Sequence, residues 1–213
     1  MVYALRTPSV LLGMVIGYLA AGALRAVVNA IVDLAPGGAG LAVRRWQRWL
    51  DPFGAVAVVI VGFGWLGTTE PRRALRSLMV DFSVNLVLAM LFLAGLGLRT
   101  NRFVVANIQI APTLHGDLVG APFVPAVCAG AGLLTLACAL LTLVPIPPLP
   151  MGVLAWSTLP KTMGARRAAY RLLEDNWGIA IVLVLIIVPL VNGESVLLAL
   201  VDSVGDALLR LAG

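Results

Sequence analysis

The segment Val144-Pro145-Ile146-Pro147-Pro148-Leu149-Pro150-Met151-Gly152 decides how the chain is read. Four prolines within six positions follow directly on the apolar run that begins at Phe123. Proline has no N–H and its ring clashes with the preceding helical turn, so the segment predicts a break in the helix. Yet it carries no charge, unlike a solvated loop. Non-helical backbone at membrane depth is tolerated only where protein or a water-filled cavity covers it. The segment therefore predicts a membrane protein interrupted at a covered centre.

Composition agrees. The 213 residues are 61% hydrophobic and only 12% charged, with mean hydropathy +1.01. A soluble domain carries about twice that charge fraction. Strand alternation is absent, which argues against a β-barrel. The expected fold class is all-α: a single polytopic membrane helical bundle over residues 1–213, with about four to six membrane segments. The net charge of +5 lies mostly in short connecting loops. That pattern reads as membrane topology and excludes nucleic acid as the expected partner. Cys128 and Cys138 stand ten apart on one apolar run. A helix would hold them ~15 Å apart, too far for a disulfide.

Working outward, residues 9–32 form a first span, and the Pro36-Gly37-Gly38 turn ends it. Its N-terminal outline is that of a signal peptide, but the apolar run is too long, so it reads as a retained helix. Residues 53–66 are few and contain three glycines, which predicts a short or re-entrant hairpin. Residues 78–98 and 123–144 are full spans, and 177–191 a further apolar helix and final span. Residues 195–211 predict an interfacial helix or short last span. Loops 35–52, 70–77 and 152–176 hold ten of the fifteen basic residues. If the 53–66 hairpin enters and leaves by one face, all three loops share a side, and that side is expected to be cytoplasmic. The expected location is a bacterial inner membrane. Arg44, Arg45, Trp46, Arg48 and Trp49 combine interfacial Trp with Arg, so lipid headgroups are their expected partner.

Three segments carry a resemblance. They are Leu50-Asp51-Pro52-Phe53-Gly54 with Phe63-Gly64-Trp65, then Asn85-Leu86-Val87-Leu88-Ala89, then Leu143 to Leu149 through the prolines. Together and in this order they resemble the site-2 protease family, the intramembrane zinc metalloproteases. The resemblance implies a site-2-protease-like helical core. It also implies where the zinc chemistry would stand. Such enzymes need a His-Glu-x-x-His helix, two histidines sharing one face and a Glu activating water. The matching stretch is Ala20-Ala21-Gly22-Ala23-Leu24. The family's third ligand, an Asp, is matched by Pro150, followed by Met151. The degenerate zinc-site positions are thus Ala20, Ala21, Leu24 and Pro150, and the chain holds a single histidine, His115. The expectation is a pseudo-protease with no catalytic residue, no metal and no cofactor. His115 with Asp117, in the polar connection 99–121, supplies too few ligands for zinc.

Small residues at positions 20–24 predict close packing against a neighbouring helix. Arg25 and Asp81 both fall inside predicted spans. An intramembrane arginine is costly unless paired or snorkelling to the interface. Two readings stay open: an Arg25–Asp81 ion pair with Asn29 or Asn85 beside it, or an Arg25 that reaches headgroups or a cavity. Members of the resembled family clasp a transmembrane substrate helix, so Pro145, Pro147, Pro148 and Asn85 are expected to line a groove. Without zinc, that groove is expected to hold a partner helix. The expected function is a non-catalytic membrane protein that scaffolds partner transmembrane helices in a hetero-complex, as an accessory subunit or assembly factor. The connection 99–121 is the expected docking element. The alternatives are a membrane enzyme using Glu70, Glu174 or Asp175, or a small transporter.

Overall fold

A computed structural model describes residues 7–34, 51–67, 73–100, 104–105, 108–118, 120–158, 162, 164, 168, 171–172, 177–191 and 194–212. The predicted headgroup residues Arg44, Arg45, Trp46, Arg48 and Trp49 lie outside the described residues. So do Glu70, Glu174 and Asp175, and most of loops 35–52 and 152–176.

Among the described residues, three helices are long and apolar enough to cross a membrane: α1 (Pro8–Leu34), α3 (Ala74–Arg99) and α5 (Phe123–Thr142). Their burial ranks them. Within the most apolar stretch of each, 78% of α5 is buried, against 50% of α1 and 33% of α3. A helix hydrophobic all round belongs at the centre, and α5 is buried without a break from Ala129 to Thr142. α1 and α3 both pack on it, and on each other. The α1–α5 approach is backbone to backbone. A Cβ on Gly13 would strike the Val127 carbonyl, and one on Gly130 would strike the Val10 carbonyl. Small residues permit such contact in lipid. The closest approach therefore lies one to two turns before residues 20–24, where the sequence predicted it. In that stretch only Ala21 and Gly22 are buried; Ala20 and Leu24 are half-buried.

Residues 51–67 fold as a hairpin. Asp51 caps α2 (Pro52–Val61) by accepting from Phe53 N at 2.9 Å, and Pro52 occupies the first turn, where its missing N–H is harmless. Ten residues rise only ~15 Å, about half a bilayer core. Gly62 ends the helix at φ +95°, a left-handed cap that suits glycine. The chain then returns extended, and Asp51 N donates to the Leu66 carbonyl at 2.7 Å. Gly54 and Gly64 let the two arms touch: a Cβ on either would strike the opposite backbone.

α5 ends at Thr142, and the proline segment forms tight turns. Ile146 N donates to Val144 O, Leu149 N donates to Ile146 O, and the Pro147–Pro148 peptide is cis. Helix resumes at once as α6 (Pro150–Thr158), again with proline at the start. Two glycines seat the turn. A Cβ on Gly152 would overlap the Ile146–Pro147 peptide, and one on Gly178 would meet the Pro147 carbonyl.

Two expectations change in the remaining segments. The connection 99–121 is not merely an exposed loop: it contains α4 (Ile110–Leu114), in which Ile110, Ala111, Thr113 and Leu114 are buried. Likewise 177–191 is not one span. α7 (Trp177–Ile187) stops after eleven residues, and β1 (Pro189–Val191) pairs antiparallel with β2 (Glu194–Ser195). Pro189 forbids further helix. The fold is thus helical apart from this ribbon among the described residues. α8 (Val196–Ala212) follows, with the Ser195 hydroxyl accepting from Leu198 N at 3.2 Å. It buries Leu197, Leu198, Val201, Gly205 and Leu209 on one face and exposes the other. It is not among the three spanning helices. Its Asp202 and Asp206 accept from Ala111 N at 2.9 Å and Ile110 N at 3.2 Å, capping α4.

Candidate functional site

Arg25 stands on α1 and Asp81 on α3. Arg25 Nε lies 2.6 Å from Asp81 Oδ1, and both side chains are buried, 6% and 4% exposed. Of the two readings the sequence left open, the pair is the geometry present. Around it, each neighbouring amide bonds back to its own helix. Asn29 Nδ2 donates to the Arg25 carbonyl at 2.9 Å, and Asn85 Nδ2 donates to the Asp81 carbonyl at 2.7 Å. Arg76 extends the group by donating to the carbonyl and Oδ1 of Asn29 at 3.0 and 3.1 Å. The group is not closed. Among the described residues, Arg25 Nη1 and Asn85 Oδ1 are buried without a hydrogen-bond partner. Orphaned buried polar atoms are rare because each forfeits its hydration.

Asp81 and Asn85 open onto a small cavity completed by Trp65, Leu66, Gly67, Cys138, Leu141, Thr142, Leu149 and Pro150. It has room for about one water molecule. Four elements meet here: the returning arm of the hairpin, α3, the end of α5 and the start of α6. Pro150, one of the positions expected to be apolar, is buried in the wall. The other prolines are placed differently. Pro145 is exposed, Pro148 half-buried, and Pro147 is buried but packed against Gly178. None of the three lines this cavity, because the seating of residues 146–147 on Gly152 and Gly178 turns Leu149 and Pro150 inward instead. Asn85 alone of the expected groove residues faces it.

Beside the cavity lies a second polar knot that the sequence reading did not single out. Asp51 Oδ2 accepts from Trp65 Nε1 at 2.8 Å while its Oδ1 caps α2. The Tyr18 hydroxyl donates to the Trp65 carbonyl at 2.9 Å, with the Asp51 carbonyl at 3.3 Å. Cys138 Sγ donates to the Gly64 carbonyl at 3.1 Å. Thus α1, α5 and both arms of the hairpin are tied together by Tyr18, Asp51, Trp65 and Cys138. The Asp51-Pro52 cap was a readable signal; the long-range partners were not.

In chemical terms the centre holds charge and positions backbone. No group of three or more His, Cys, Asp or Glu side chains converges among the described residues. His115 lies away from it, at the end of α4, with its N–H donating to the Ala111 carbonyl. Comparison of the sequence with protein-family models, with curated proteins and with solved structures finds no match.

Proposed function

We propose that this chain is a non-catalytic, site-2-protease-like membrane protein that holds partner transmembrane helices within a larger complex. The observation that carries the reading is the buried Arg25–Asp81 pair. Arg25 directly follows, in sequence, the positions 20–24 that the resemblance matches to the zinc helix, and Asp81 lines the same cavity as Pro150. An arginine with its counter-ion leaves no charge demand for a divalent cation there. The single histidine of the sequence and the apolar Ala20, Ala21, Leu24 and Pro150 support the same reading. So do the broad apolar outer faces of α1 and α3, exemplified by Leu19, Val27, Met79, Met90 and Leu91, which need lipid or another helix as cover. The basic loops would face the cytoplasm of a bacterial inner membrane.

The test is purification of the tagged chain from its native membrane in mild detergent, followed by native electrophoresis and identification of co-migrating proteins. Migration with stoichiometric membrane partners is expected. Migration as a lone monomer, or stoichiometric zinc by elemental analysis, overturns the proposal.

A further inference from the structure

We infer that the cavity between Asp81, Asn85 and Thr142 is a binding site for a single small hydrogen-bond donor, a water molecule. The argument starts from which polar atoms on its wall are already engaged. Each side-chain donor lining the cavity points its hydrogen bond elsewhere. Trp65 Nε1 donates to Asp51 Oδ2 at 2.8 Å, Cys138 Sγ to the Gly64 carbonyl at 3.1 Å, Thr142 Oγ1 to the Ala139 carbonyl at 2.6 Å, and Asn85 Nδ2 to the Asp81 carbonyl at 2.7 Å. What remains on the lining side chains is mainly acceptor capacity, beside the second N–H of Asn85 Nδ2. Asn85 Oδ1 is wholly unpartnered on a residue 1% exposed. Asp81 Oδ1 touches Arg25 Nε but makes no well-directed hydrogen bond. The Thr142 oxygen has donated its proton and keeps free lone pairs.

A lining rich in acceptors, with one N–H among them, suits a small molecule that donates twice and can also accept. The space fits about one water, and a buried water needs two to four polar partners. Water can donate one hydrogen to Asn85 Oδ1 and the other to Asp81 or Thr142. The remaining lining, Leu66, Leu141, Leu149 and Pro150, is apolar and offers nothing to a larger polar ligand. A monovalent cation would meet the same oxygens, but Arg25 already balances Asp81, so it would add an uncompensated charge in a low-dielectric setting. The chemistry therefore favours the neutral donor.

The experiment is a structure of the full chain in lipid nanodiscs or crystals, at a resolution where ordered waters are visible. It is paired with thermal unfolding in sodium chloride and in choline chloride at equal ionic strength. The expected result is one peak within hydrogen-bond distance of Asn85 Oδ1 and of Asp81 or Thr142, together with equal unfolding temperatures in the two salts. In N85L, whose leucine fills the cavity, that peak should vanish while the fold persists. If N85L does not fold, T142V provides the second variant, and the peak should then lose occupancy or move toward Asn85. An empty cavity where other buried waters are seen overturns the inference. A sodium-dependent rise in unfolding temperature that is lost in N85L or T142V overturns it in favour of a cation.

Discussion

Two buried aspartates, Asp51 and Asp81, show two ways of keeping a carboxylate out of water. Asp51 accepts two directed N–H bonds, from Phe53 N and Trp65 Nε1, and makes no ion pair among the described residues. Asp81 has a guanidinium against it at 2.6 Å, yet that contact is poorly aligned, and Arg25 Nη1 and Asn85 Oδ1 beside it go unsatisfied. The first arrangement is complete and structural: it closes a hairpin whose arms are seventeen residues of continuous chain. The second joins two helices far apart in sequence and leaves polar capacity unused. Unused capacity at a buried centre is what distinguishes a site from a staple.

Removing one partner of the ion pair should have the largest effect. Asp81→Ala strands Arg25 and is expected to cost about 3–5 kcal/mol. Replacing both Arg25 and Asp81 by Leu should recover most of that, because no uncompensated charge remains. Unfolding temperature in detergent measures both, and equal losses in the single and double variants would show that the pair does not behave as a unit. At the complete site the comparison predicts less. Trp65→Phe removes one bond to a charged acceptor and should cost about 1.5–3 kcal/mol. Asp51→Asn keeps an oxygen for one of the two donors but turns its NH2 toward the other, so a loss of about 1–3 kcal/mol is expected. A loss from Asp51→Asn as large as that from Asp81→Ala would erase the distinction between the two sites.

The smallest effect belongs to a third acid, outside the spanning helices. Burial, and then the neighbouring Asp202, hold the Asp206 carboxyl above its ordinary pKa, partly offset by the Ile110 N–H and by Arg210. The folded state thus binds this proton more tightly than the unfolded one. Stability should fall as pH rises from the ordinary carboxylate value, roughly pH 4, through the raised one. Asp206→Asn should flatten that decline while keeping an acceptor for Ile110 N. Thermal unfolding across a pH series reads it, and an unchanged slope in the variant would remove Asp206 as the cause.

How much was legible in the chain depended on whether the signal was local. Asp51-Pro52 announces a helix start by itself, and the proline segment announces a helix end. Arg25 and Asp81 stand out because a charge in an apolar run demands an explanation within the run. By contrast, α4 hides in a polar connection with a proline at position 112, and its burial follows from α8, some ninety residues later, which supplies both capping carboxylates. The inward turn of Leu149 and Pro150 rests on Gly152 and Gly178, neither of which signals a contact in sequence. The ribbon after α7 did carry a local mark, Pro189 followed by Asn192-Gly193; the apolar character of the run masked it. The α1–α5 contact was half legible: Gly13 and Gly17 are spaced for close helix approach, but the apolar small residues nearer Arg25 drew the expectation away.

The central position of α5 has a consequence for biosynthesis. α1 and α3 leave the ribosome before it, so the helix that fills the middle of the bundle arrives after the two that flank it. Until then the Gly13–Gly17 surface lacks the helix it packs against. Arg25 and Asp81 are already present at that stage. Their attraction needs no third helix, and each is a poor resident of lipid alone. The charge pair can thus join α1 to α3 before residues 123–142 arrive.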